Sequence, residues 1–130
     1  MGKPAAKQGD QISALDMHLI LPAVQPAPVV LVPHPFMGII DGALSSNVNI
    51  QKMPAATLNS TATNTPPHIP IGGTFVKPPT NKSTIIIGSA TVFINKKPAA
   101  RAGDTALTCN DPADLPAGTV IAVSTVLIGG

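Results

Sequence analysis

Apolar residues in this chain come in short bursts rich in Val, Ile and Thr, each cut off by Gly, Pro, Asn or Ser. Bursts of that kind read as brief β-strands between tight turns. They fall at residues 29–32, 47–51, 84–88, 91–95, 119–123 and 125–128. The run from Thr84 to Ile94, bent at Gly88, Ser89 and Ala90, predicts a hairpin, and Val120 to Ile128 predicts a second one bent near Ser124. Leu58 to Lys82, dense in Thr, Asn, Pro and Gly, reads as an ordered but irregular loop. With 15 Pro and 11 Gly, and no Glu, Trp or Tyr, long helices are disfavoured, so the expectation is an all-β, loop-rich chain. Its 130 residues correspond to a single domain spanning residues 1–130.

The apolar bursts belong to a larger repeated phrase. Residues 92–104 read VFINKKPAARAGD, residues 48–60 read VNIQKMPAATLNS, and residues 2–10 read GKPAAKQGD. The missing first half of that last copy stands at residues 124–130, STVLIGG, which matches ATVFINK at 90–96 and SNVNIQK at 46–52. Bringing Ile128, Gly129 and Gly130 beside Gly2, Lys3 and Pro4 rebuilds a third unit of V-x-I, turn and PAA. Repeats that cannot bury their own apolar face need their neighbours, and a split copy predicts a ring closed by residues 125–128 lying beside 2–6. After each PAA comes a pair suited to a turn: Gly9 with Asp10, Asn59 with Ser60, Gly103 with Asp104. Gly and Asn tolerate positive φ, while Asp and Ser are expected to bond a backbone N–H one or two residues further on. Lys7 and Arg101, at matching places, are candidates to pair with Asp10 and Asp104.

Pro98, Ala99, Ala100 and Arg101, with Ala102, Gly103 and Asp104 behind them, resemble the signature of the PAAR-repeat proteins. Pro4, Ala5, Ala6, Lys7 and Pro54, Ala55, Ala56, Thr57 echo it more loosely. The resemblance implies a small pseudo-threefold cone with a metal near its apex. It also implies a role as the tip that caps the blunt end of a trimeric β-helical spike protein, of the valine-glycine repeat type, in type VI secretion and related phage-tail-like contractile injection machines.

The repeat frame also orders the metal-ligating residue types. His18 lies eight residues after Asp10, His68 eight after Ser60, and Cys109 five after Asp104. Three copies thus aim three donors at one pseudo-threefold axis, and His34, between Pro33 and Pro35, is the candidate fourth. Imidazoles with a thiolate suit a closed structural zinc site, with iron as the alternative metal. No CxxC or HxxxH pair is present, so the frame carries this reading. Prolines around His34, His68 and Cys109 limit the freedom that these segments lose on ordering.

Charge and cysteine usage trim the alternatives. A net charge of +2, scattered and without stacking aromatics, gives no footing for nucleic acid. One cysteine forms no internal disulfide, in keeping with synthesis in a reducing compartment. Residues 17–40 carry no charged side chain, but Pro22, Pro26, Pro28, Pro33 and Pro35 forbid a membrane-spanning helix. No signal-peptide pattern opens the chain, so the expectation is a cytoplasmic product exported within the spike complex, touching the target membrane transiently. The runner-up is a zinc hydrolase toxin. That chemistry needs an open coordination position and a general base, for which Asp16, Asp41, Asp111 and Asp114 are the carboxylates outside the repeated turns. The chain stops directly after the closing strand, so any effector is expected to ride non-covalently, on segments such as Leu58 to Lys82.

Overall fold

The computed structural model describes residues 2–129, and among them every regular element is a strand. In chain order these are β1 (Lys3–Pro4), β2 (Gln11–Pro22), β3 (Val30–Gly42), β4 (Asn49–Ile50), β5 (Met53–Pro54), β6 (Thr61–Asn64), β7 (Gly73–Phe75), β8 (Lys82–Ile85), β9 (Phe93–Ile94), β10 (Lys97–Pro98), β11 (Thr105–Thr108), β12 (Leu115–Ile121) and β13 (Leu127–Ile128). Six of them, in the order β12, β11, β8, β6, β3, β2, close on themselves because β12 also pairs with β2. This small antiparallel barrel has no free edge around its girth.

Three equivalent units build it. Each sends one strand down (β3, β8 or β12), turns through a two-stranded hairpin (β4 with β5, β9 with β10, β13 with β1), passes through its PAA segment and sends one strand back (β6, β11 or β2). The expected closure is present: Lys3 pairs with Ile128, Pro4 with Leu127, and the Ala5 N–H donates to Val126 O at 2.9 Å. Gly130 of the split copy lies outside the described residues. The intact hairpins turn on Gln51 and Lys52 and on Asn95 and Lys96, all at positive φ, which suits the two-residue turns whose twist matches paired strands.

A ring of backbone bonds ties the units together. Ala6 N–H donates to Ala100 O (3.0 Å), Ala100 N–H to Ala56 O (3.1 Å), and Ala56 N–H to Ala6 O (3.0 Å). Only alanine fits this: the side chains of all six PAA alanines are fully buried at the axis, where a larger side chain would hold the backbones apart. The turn pairs repeat as well, with Gly9, Asn59 and Gly103 at φ of 91°, 75° and 89°. Asp10, Ser60 and Asp104 cap those turns backwards rather than forwards, accepting from the N–H groups of Lys7, Thr57 and Arg101, three residues earlier.

Above the ring the barrel holds one core, with Ile12, Ile40, Ala62, Ile85, Ala106 and Val120 among its members. Below it Ile50, Ile94 and Ile128 pack on Ala5, Ala55 and Ala99 in a second. The predicted hairpin between 84–88 and 91–95 does not form: β8 ends at Ile85 and continues the barrel with β6 and β11, while β9 turns back on β10. The second predicted hairpin fails in the same way, since β13 pairs with β1. In both cases a unit boundary inside the apolar run sends its second half to the base. Leu58 to Lys82 contains β6 and β7, so it is not wholly irregular.

The largest difference from expectation is a long ribbon. Only residues 29–32 were expected to be extended there, yet β2 and β3 pair from Gln11 with Ile39 to Ile20 with Val30 and carry the chain well beyond the barrel. Pro33 and Pro35 are tolerated because they share the parity of Met37, whose N–H turns away from β2 to Asn64 Oδ1 (2.9 Å). The missing N–H groups of the two prolines therefore face the open side of the ribbon.

Candidate metal centre

Strand parity builds the site. On β2, Asp16 and His18 are two apart and so share a face, and Asp16 stands directly across from His34 on β3. That face is inward: Asp16, His18 and His34 are all essentially inaccessible to solvent. His68 arrives from the irregular segment between β6 and β7, its backbone N–H held by Asn81 Oδ1 at 2.8 Å. Cys109 follows β11 directly and is also buried. The two histidines with matching offsets thus converge through different local structures, one on a strand and one on a loop.

Asp16, His18, His68 and Cys109 each offer a donor atom, and these atoms all lie within 4.8 Å of one another. Cys109 Sγ is 3.8 Å from His18 Nε2 and 3.3 Å from Asp16 Oδ2, and His68 Nε2 is 2.9 Å from the same carboxylate oxygen. His34 stands just outside this group, its ring centre 5.5 Å from that of His18 and 5.7 Å from that of His68. Its Nδ1 donates to Val32 O at 2.9 Å, which leaves Nε2 as a lone pair, and that Nε2 is buried with no hydrogen-bond partner. An orphaned acceptor of this kind carries a desolvation cost of roughly 1–3 kcal/mol. A metal ion within reach of Nε2 would remove it.

Neighbouring groups set the donors' protonation. His18 Nδ1 faces Asp111 Oδ2 at 3.4 Å, an oxygen that also accepts from the Leu19 N–H at 2.8 Å, so Nε2 is turned toward the cluster. Burial, with the nearby His68, lowers the His18 pKa below its ordinary value against the pull of Asp111. The imidazole is therefore neutral, the form that ligates. Burial and then the Asp16 carboxylate push the Cys109 thiol up to about 11, so without a cation it keeps its proton. A metal would displace that proton on binding. Phe75 packs edge-on against His18 and tilts against His34, and Phe36 lies beside His68, so two of the three Phe form a dry wall around the donors. The donor set of imidazoles, a thiol and a carboxylate, preoriented in an apolar shell, fits a borderline metal such as zinc.

The PAAR-motif model matches residues 32–113, more than half of the chain and including His34, His68 and Cys109. The chain belongs to the PAAR-motif family. That membership places it among the spike-tip proteins of contractile injection systems, which are structural components. Comparison with curated proteins gives no match.

Asp16 is the member of this cluster that the repeat frame does not select; on sequence it is only a candidate base for the hydrolase. Its signal is the Asp-x-His spacing of residues 16–18, which becomes visible once β2 is known to be a strand.

Proposed function

We infer that this PAAR protein is a non-enzymatic tip. Its base caps one trimer of a β-helical spike protein of the valine-glycine repeat type. Its apex is stiffened by a metal, zinc in the first instance, held by His18, His34, His68 and Cys109. Made in the cytoplasm, it leaves the cell on the spike, helps to breach the target membrane and carries any effector delivered with it.

The observation that supports docking at the base is its threefold repetition in a single chain. At equivalent places in the three basal hairpins Ile50, Ile94 and Ile128 point into the lower core, while Asn49, Phe93 and Leu127 face solvent. A monomer with three like corners meets a trimer without leaving two of the partner's subunits unmatched. Phe93 and Leu127, 57% and 61% exposed, supply apolar contact for the end of a β-helix. The buried donors give no support to the hydrolase, which needs a coordination position open to substrate.

The test is co-purification of the chain with a trimeric spike protein. Asn49→Asp, Phe93→Asp and Leu127→Asp together are expected to weaken capture at least tenfold while leaving metal content unchanged. Capture that survives all three changes but is lost when residues 23–29 are altered would put the docking face at the opposite end.

A further inference from the structure

Asp16 is fully buried, and no Lys or Arg lies within ion-pair distance of it among the described residues. A buried carboxylate without a cation is costly. Its two oxygens face different surroundings. Oδ1 is satisfied by protein: the Thr108 hydroxyl donates at 2.5 Å, and Asn110 Nδ2 lies at 3.5 Å. Oδ2 has only His68 Nε2 at 2.9 Å and Cys109 Sγ at 3.3 Å. Both of those partners are members of the proposed ligand set. A thiolate bound to a metal has no proton to donate, and an imidazole nitrogen bound to a metal has none either. With His68 ligating through Nε2, Oδ2 is left without a donor once the metal is in place, in contact with a negatively charged sulfur, unless it takes part in the coordination itself.

We propose that Asp16 Oδ2 is a direct donor to the metal, so that an oxygen joins the imidazole and thiolate ligands. Thr108 and Asn110 hold the carboxylate in place by its other oxygen. Strand pairing supports the same assignment: Asp16 is on the inward face two residues from His18 and across from His34, where its position is as fixed as theirs. An oxygen donor makes the site more hospitable to harder divalent ions than nitrogen and sulfur alone would.

This inference rests on the metal-site reading above, and two measurements on the full chain separate them. In a crystal of the unaltered protein loaded with zinc, Oδ2 is expected at about 2.0–2.2 Å from the ion. In solution, Asp16→Asn, which preserves the shape and the acceptor for Thr108, is expected to weaken zinc binding at least tenfold. It should also shift the visible bands of the cobalt(II)-loaded protein while the sulfur-to-cobalt absorption of Cys109 persists. An ion seated on imidazoles and thiolate with Oδ2 more than about 3 Å away, or cobalt bands unchanged in Asp16→Asn, overturns the role of Asp16. Absence of any bound zinc or cobalt in the unaltered protein would instead overturn the site as a whole.

Discussion

The base and the metal centre of this molecule are held together in opposite ways. At the base the same bond is made three times by backbone groups, and no side chain larger than alanine is admitted at the axis. At the centre Asp16, His18 and His34 come from the paired strands β2 and β3, His68 from a loop and Cys109 from just beyond β11, and side-chain contacts link these donors. Backbone bonds need only small residues in the right places. Side-chain sites need particular atoms, and a missing one has no duplicate. The base is therefore expected to degrade gradually on mutation and the centre abruptly.

The largest effect expected is from Cys109→Ser. Apparent binding energies of structural zinc are roughly 10 kcal/mol or more, comparable with the whole stability of a domain. Elemental analysis should find the metal lost, and melting should fall by more than about 10 °C. Hydrogen exchange should leave the amides of Ala6, Ala56 and Ala100 protected while those around His18 and His68 open. Equal loss of protection in both regions would show that base and centre form one cooperative unit.

A smaller contrast lies within the base. Arg101 Nη2 donates to Asp104 Oδ1 at 2.8 Å with both side chains buried, and the hydrogen bond from Arg101 to Asp104 raises the guanidinium pKa further. The equivalent Lys7 to Asp10 pair, at 3.1 Å, is less enclosed. Arg101→Met should cost about 3–5 kcal/mol, because it strands a buried carboxylate. Lys7→Met should cost less, because the Lys7 and Asp10 side chains keep more contact with water than Arg101 and Asp104 do. Urea unfolding of the two variants measures the difference, and equal costs would mean that symmetry, not burial, sets the strength of each corner.

The smallest effect is on pH dependence, and it belongs to the centre alone. In the metal-free protein the folded His18 pKa lies below its ordinary 6.5, so the unfolded chain binds the extra proton first. Stability is then fully present above that value and declines as pH falls through it. For Cys109 the folded pKa rises from 9.0 to about 11, so stability declines as pH rises across that interval. Melting of chelator-treated protein should be highest between these limits. Arg101→Met should lower the curve without changing its shape.

The same contrast explains what could be read from the chain. The base was legible because V-x-I, PAA and the Gly-Asp turn are written three times, so even a copy split between residues 124–130 and 2–10 could be joined. The ribbon was not, because Pro22, Pro33 and Pro35 argue locally against strands, and only the tertiary arrangement turns the inner two toward an open edge. Without β2 as a strand, Asp16 and His18 had no shared face, and the carboxylate was weighed only as a base for catalysis. Asn64 and Asn110, which extend the ladder with side-chain oxygens at Met37 and Met17, left no signal in the sequence that distinguishes them from loop asparagines.

The pairing of Lys3 with Ile128 has a consequence for time as well as for shape. The two complete units, β3 to β6 and β8 to β11, are continuous in the chain and can fold on contacts that are close in sequence. The third exists only when residues more than a hundred positions apart meet, and such distant contacts are the slowest to form. During synthesis the Ala5 N–H, which donates to Val126 O, has no partner until β13 has left the ribosome. The cone is then sealed in one late step, after which no unit can open without breaking bonds to both of its neighbours.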